Sequence, residues 1–198
     1  MPSPDPLRRF LDSLEVTAEN WRDGPSVDFA ALDALNASEK LQAEGALLKR
    51  GVRDGPGIEA LGRLDTPRAR AALVEARKSP DLLIRLLAHL QGPEDVAGRE
   101  RAIVDGLRAG QRMALLAAAK HGTSAVKAEL LRAAREPLRD SSYDAAAALL
   151  VLAGELASLD DPRERGFLER FLRPDSPDRR EAWEELRARV ETAGGEAS

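Results

Sequence analysis

Residues 61–90, LGRLDTPRARAALVEARKSPDLLIRLLAHL, constrain the fold more than any other stretch. They read as two short helices joined by a tight turn. Thr66 can cap the first helix, and Pro67 suits its first turn, where a missing N–H costs nothing and φ is already helical. Apolar residues recur at Ala69, Ala72, Leu73 and Ala76, the three-and-four spacing of one helix face. Ser79-Pro80 stops that helix and opens the next. The second helix is mostly apolar, with Asp81, Arg85 and His89 spaced four apart in one narrow polar stripe. Two helices this short and this apolar cannot bury each other completely. They need similar pairs stacked against them.

The chain supplies echoes of this pair. Arg99-Glu100-Arg101-Ala102-Ile103-Val104 repeats the pattern of Arg68-Ala69-Arg70-Ala71-Ala72-Leu73 at a shift of 31 residues. Leu159-Asp160-Asp161-Pro162-Arg163-Glu164-Arg165 repeats Leu64-Asp65-Thr66-Pro67-Arg68-Ala69-Arg70 at a shift of 95, close to three such periods. Ser176-Pro177-Asp178 repeats the Ser79-Pro80-Asp81 corner. Between them the pattern predicts helices over 111–121, 124–135 and 141–158, the last apolar from Ala145 to Leu152 and so buried on most sides.

Nearer the N-terminus, Asp5-Pro6 opens a helix carrying Leu7, Phe10, Leu11, Leu14 and Trp21 on one face, and Gly24-Pro25 breaks it. A short helix is expected from Asp28 to Leu35, and another from a Ser38 cap to Arg50. Gly51, Gly55, Pro56 and Gly57 mark a loop, followed by a helix through Ile58, Leu61 and Leu64.

No segment alternates apolar and polar residues with a period of two, so no sheet is expected. A helical pair recurring every 30–40 residues is the signature of an α-solenoid. The expected fold is therefore all-α, a short α-solenoid of about five or six antiparallel hairpins. Residues 1–53 would cap the array and 54–198 would form it, as one continuous domain.

Composition narrows the function. Cysteine is absent, which removes disulfides, thiol catalysis and thiolate metal sites. The net charge is −4, with both signs interleaved, so no clustered positive footprint for nucleic acid is present. Arginine accounts for 25 of the 30 basic residues, a bias of GC-rich bacterial genomes more than of phosphate binding. Aromatics are 4%, sparse for a surface that stacks bases. The opening MPSPDPLRRF lacks the layout of a secretory signal, and the apolar run 145–154 is too short to cross a bilayer. The expectation is a soluble, cytoplasmic protein with no membrane partner.

Glu59-Ala60-Leu61-Gly62-Arg63-Leu64, Pro67-Arg68-Ala69 and Pro80-Asp81 with Arg85 resemble the HEAT-like repeats of the phycobilin-lyase type. The match is strong over 58–90 and partial at 94–107 and 150–187. The wider layout is similar to a looser bacterial group: Phe10-Leu11-Asp12-Ser13-Leu14, then Trp21-Arg22-Asp23-Gly24, then hairpins, then Phe167-Leu168-Glu169-Arg170-Phe171. Proteins of that group are often encoded beside secreted toxins or secretion-system genes. The resemblance implies a toxin-neutralising, immunity-type inhibitor or a secretion-system adaptor, and it transfers no catalytic residue.

The candidate chemistry is thin. His89 and His121 lack partners at metal-ligand spacing, so no metal site is expected. Asp161 reads as a cap before Pro162, with Glu164 completing a capping box, and Glu184-Glu185 as a solvated face. Glu94/Asp95 and Asp160/Asp161 are further adjacent carboxylates without a sign of desolvation. Ser141-Ser142-Tyr143-Asp144 reads as a helix start. Trp21 and Trp183 read as core packing. The best lead is the stripe of Asp81, Arg85 and His89, on the second helix that lines the concave face in HEAT-like repeats. Arg112, Asp144 and Arg180 are the equivalent polar positions in later hairpins.

The expected function is binding of another protein, with no catalytic residues and no cofactor. Two alternatives of a different class are a HEAT-like DNA glycosylase and a chromophore lyase. A self-associating scaffold is a third.

Overall fold

The computed structural model describes residues 5–15, 27–136, 141–173 and 176–195. Trp21, the Trp21-Arg22-Asp23-Gly24 motif and the Gly24-Pro25 break lie outside them. The described chain is all-helical, with no strand. Its contacts divide it into two units, Met1–Asp95 and Val96–Ser198.

In the first unit, Asp5 caps α1 (Pro6–Ser13), with proline in the first turn. Asp28 caps α2 (Phe29–Asp33) through the Ala31 N–H and pairs with Arg9 of α1 at 2.5 Å. The Ser13 hydroxyl joins the same two helices, donating to the Phe10 carbonyl and accepting from the Asp28 N–H. For α3 (Ala37–Arg50) the cap is Asn36 rather than Ser38. Asn36 Oδ1 accepts from the Ser38 and Glu39 N–H groups, while Glu39 accepts from the Asn36 N–H. This reciprocal box satisfies more N–H groups than a Ser38 cap would, so the helix starts earlier.

The expected loop at 55–57 is instead the first turn of α4 (Gly55–Leu64). Asp54 accepts from the Gly57 N–H at 2.8 Å, and Pro56 fits a first turn as readily as a loop. Asp65 ends α4 in the left-handed region, Thr66 caps α5 (Pro67–Ala76), and Asp81 caps α6 (Leu82–Gln91). The α4, α5 and α6 helices pack mutually, and α3 packs on α1, α4 and α5. Phe10, Leu32, Ile58, Leu61 and Leu73 are buried between them.

In the second unit, α7 (Val96–Arg108) packs on α8 (Arg112–Ala118) and α9 (Ser124–Arg135). The helix α10 (Ser141–Leu152) lies against α8, α9, α11 (Arg165–Leu168), the 3-10 turn Glu169–Leu172 and α12 (Pro177–Gly195). Residues Ala145 to Leu150 are fully buried, as their composition predicts. The helix stops at Leu152 rather than 158. Gly154 takes φ +77°, its N–H bonds the Val151 carbonyl, and the Glu155 N–H bonds the Leu150 carbonyl. This is the paired closure that a left-handed glycine permits. Gly110 ends α7 in the same way.

A buried arginine ties this unit together. Arg179 is 4% exposed on the inner face of α12, beside Ala182, Leu186 and Val190. Its guanidinium donates to the carbonyls of Ala134 at 3.1 Å and Glu136 at 2.7 Å, closing the end of α9. It also donates to the carbonyls of Phe171 and Arg173. One side chain thus satisfies the orphan acceptors of two helical ends. Arg179→Met should lower stability by about 3 kcal/mol, because buried carbonyls lose their donors. Arg180→Met, at the exposed neighbour, should shift it by less than about 0.5 kcal/mol. Urea denaturation followed by circular dichroism separates the two.

Candidate functional site

On α6, Asp81 is committed to the backbone: its Oδ1 accepts from the Leu83 N–H at 2.8 Å and the Ile84 N–H at 3.3 Å. Arg85 is half-buried, and His89 is buried at 9% exposure. The stripe therefore runs from the surface inward. His89 Nδ1 lies 3.5 Å from Asp95 Oδ2, and Arg77 Nη1 lies 3.6 Å from the same oxygen. Arg77 also donates to the carbonyls of Ala88 and Pro93. His89 belongs to the clamp that closes the end of α6. A separate apolar groove of about 340 Å³ in this unit is lined by Leu48, Val52, Ala72, Glu75, Ala76, Ser79 and Ile84.

Another cleft lies in the second unit, between the start of α10 and the segment 159–172. It measures about 500 Å³ and is lined by Tyr143, Asp144, Leu159, Asp160, Asp161, Pro162, Arg165, Glu169 and Leu172. Of Arg112, Asp144 and Arg180, only Asp144 lines it. Arg112, at the start of α8, and Arg180, on α12, are exposed.

The wall at 157–163 is built by one carboxylate. Asp161 caps a 3-10 turn, Pro162–Glu164, where the repeat pattern places an α-helical start. It accepts from the Ala157 N–H at 3.0 Å and the Arg163 N–H at 3.1 Å, and pairs with the Arg163 guanidinium at 2.7 Å. The Arg163 side chain, then these two N–H groups, hold its carboxyl well below the ordinary range. Glu164 does not complete a capping box. Its carboxylate pairs with Arg189 at 3.2 Å, and Arg189 also grips Glu155. Leu172, 57% exposed, and the Glu169–Arg165 pair at 2.9 Å edge the other side.

A smaller cleft of about 270 Å³ is lined by Val96, Arg99, Glu100, Ile103, His121, Gly122 and Thr123. Burial, then the charges of Arg99 and Lys120, lowers the pKa of His121.

Three buried polar groups gave no local signal. Glu44, in α3, is fully buried, accepts from the Thr66 hydroxyl and lies 3.5 Å from Arg68. Glu129, in α9, is held by Arg132 and by Arg108 at 3.2 Å. Arg179 is the third. Their helical spacing with apolar residues marks the buried face, but nothing local names their partners. Trp183 is half-buried, with the Arg135 and Arg187 guanidiniums over its ring at 5.1 and 5.8 Å.

Among the described residues no group of three or more His, Cys, Asp or Glu side chains could hold a metal ion. No described helix is long and apolar enough to cross a membrane. Comparison with protein-family models, with curated proteins and with solved structures gives no match to this chain.

Two pH dependences follow from these contacts. His121 should titrate below about 6.5, the ordinary imidazole value, and Arg99→Gln should move its midpoint upward. Two-dimensional NMR of the two imidazoles, with His121→Gln for assignment, reads this directly.

Carboxyls give the second. The Ala31 N–H and Arg9 lower Asp28, Arg70 lowers Asp65, and Arg163 lowers Asp161. Burial opposes ionisation of Glu129, and Arg132 and Arg108 more than offset it. With folded pKa values below unfolded ones, the unfolded chain binds more protons in acid. The stability from these groups should be complete above about pH 5 and fall as pH drops through about 4. Urea midpoints measured across that range test it, and Glu129→Gln should flatten the fall.

Proposed function

We propose that this chain is a HEAT-like helical-repeat protein, a short α-solenoid that acts in the cytoplasm by binding another protein without catalysis. Within that class we favour an immunity-type inhibitor or a secretion-system adaptor, the readings that the resemblance of 58–90 and of the terminal motifs supports.

The observation that carries protein binding is how the polar and apolar groups are used. Asp28, Asp65, Glu129 and Asp161 are all held toward their ionised forms by caps and arginines. A general acid at neutral pH needs the opposite shift. Meanwhile apolar side chains stay uncovered: Met113 and Leu116, three residues apart on α8, and Leu172 at the mouth of the cleft beside the start of α10. Uncovered apolar groups rimmed by polar ones mark surfaces that associate. Within each unit helices pack on the next helix and on the one after it, as α4 does on α5 and α6 and α7 on α8 and α9, in keeping with stacked hairpins.

The test is affinity capture of the tagged full chain from its native cells, followed by titration calorimetry with any stoichiometric partner. One protein should co-purify and bind the purified chain directly. Arg85→Glu should weaken that binding about tenfold while the chain stays folded. Arg85 is the variant to make, because replacing the α6 cap Asp81 would itself cost about 1 kcal/mol of stability. Recovery of the chain alone, or retention of duplex DNA in a low-salt gel shift, would overturn the proposal.

A further inference from the structure

We infer that the cleft between the start of α10 and residues 159–172 is a docking site for a cationic segment of a partner protein, one carrying an apolar side chain between lysines or arginines. This rests on the protein-binding reading above and names the surface and the chemistry that it leaves open.

Shape and apolar character come first. The cleft, at about 500 Å³, has the volume of a ligand-sized site and is open to solvent, as a surface that receives a chain segment must be. Its apolar lining is Leu159, Pro162, Tyr143 and Leu172. Leu172 is 57% exposed at the end of a 3-10 turn whose neighbour Phe171 is buried. The turn that buries Phe171 therefore leaves Leu172 outward, available to a partner's apolar side chain.

Charge then selects the occupant. The lining holds four carboxylates, Asp144, Asp160, Asp161 and Glu169, against the single guanidinium of Arg165. Arg165 and the nearby Arg163 are engaged with Glu169 and Asp161. The exposed Asp160 is the surplus negative charge of this wall, on a chain whose net charge is also −4. Such a wall repels phosphate backbones and acidic peptides and attracts cationic ones, and the long-range field has the same sign. The loop is also held in shape: Asp161 binds the Ala157 and Arg163 N–H groups, so little ordering entropy is lost when a segment docks.

The experiment selects a random-peptide display library against the full chain and measures the enriched synthetic peptide by fluorescence anisotropy. Enriched sequences should combine Lys or Arg with Leu, Ile, Met or Phe. Affinity should fall about tenfold in Asp160→Lys, and should weaken when salt is raised well above ~0.1 M, where the Debye length is about 10 Å.

Leu172→Glu separates the occupants. It adds a negative charge and removes the apolar side chain, so a plain cation or polyamine would bind it more tightly, and the segment proposed here less tightly. Both substitutions are at exposed residues, and circular dichroism checks that each variant stays folded. Tighter binding to Leu172→Glu, acidic or neutral enriched sequences, or affinities that neither variant changes would each overturn the cleft assignment. A peptide lost only on Arg85→Glu would overturn the cleft and leave the protein-binding reading standing. Failure to enrich any peptide would also overturn the cleft, and the native-partner capture would then judge the broader reading alone.

Discussion

The polar side chains that cap α1 to α6 and α9 carry this architecture. Helices under about 12–15 residues are marginal alone, because the first turn fixes several residues for one hydrogen bond. Most helices here are of that length or shorter. Each start leaves N–H groups without intrahelical acceptors, and a buried orphan would cost more than the helix gains. Asp5, Asp28, Asn36, Asp54, Thr66, Asp81 and Thr123 meet that need. Several caps also reach a second element. Asp28 holds Arg9 of α1, and the Thr66 hydroxyl accepts from the Ala69 N–H while donating to the buried Glu44. The side chain that starts one helix thereby fixes its position on another, coupling local to tertiary structure.

These devices are legible in the sequence to different degrees. Thr66-Pro67 and the fully buried 145–150 run are plain in it, because capping and burial leave marks within a few residues. Ser38 and Asn36 are both good caps, and only the return bond from Glu39 decides for Asn36. Gly55-Pro56-Gly57 suits a loop and a helix start equally well, and Asp54 settles it as a start. The end of α10 falls six residues early, at a glycine whose left-handed conformation permits a double closure. In each case the local chemistry is recognisable, and the competition between two acceptable solutions is decided by which one satisfies more backbone groups.

Long-range polar contacts are the least legible. Arg179 sits in a run rich in Arg and Glu, yet its guanidinium reaches carbonyls at Ala134 and Glu136. No pattern within α12 announces a partner 45 positions away. The same holds for Glu44 with Thr66 and Arg68, and for Glu129 with Arg108. His89 illustrates a different limit. Helical spacing puts it on a stripe with Asp81 and Arg85, and that spacing is correct, but the stripe crosses from surface to interior along its length. Period gives direction around a helix and says little about depth along it.

The same distinction bears on function. A group already engaged in holding the fold is poorly placed to serve a ligand, since binding would first have to break that engagement. Asp81 as a cap, His89 beside Asp95, and Asp161 within its loop are engaged in this way. What is left over is more informative. Leu172 is not needed by the core that Phe171 and Leu168 complete, and Asp160 points to solvent beside the tightly held Asp161. A cleft with an apolar side chain on one edge and surplus negative charge on the other has the parts of a recognition surface. It also explains why Asp160-Asp161 resists reading as a pair: one carboxylate builds the wall, and the other faces what the wall would bind.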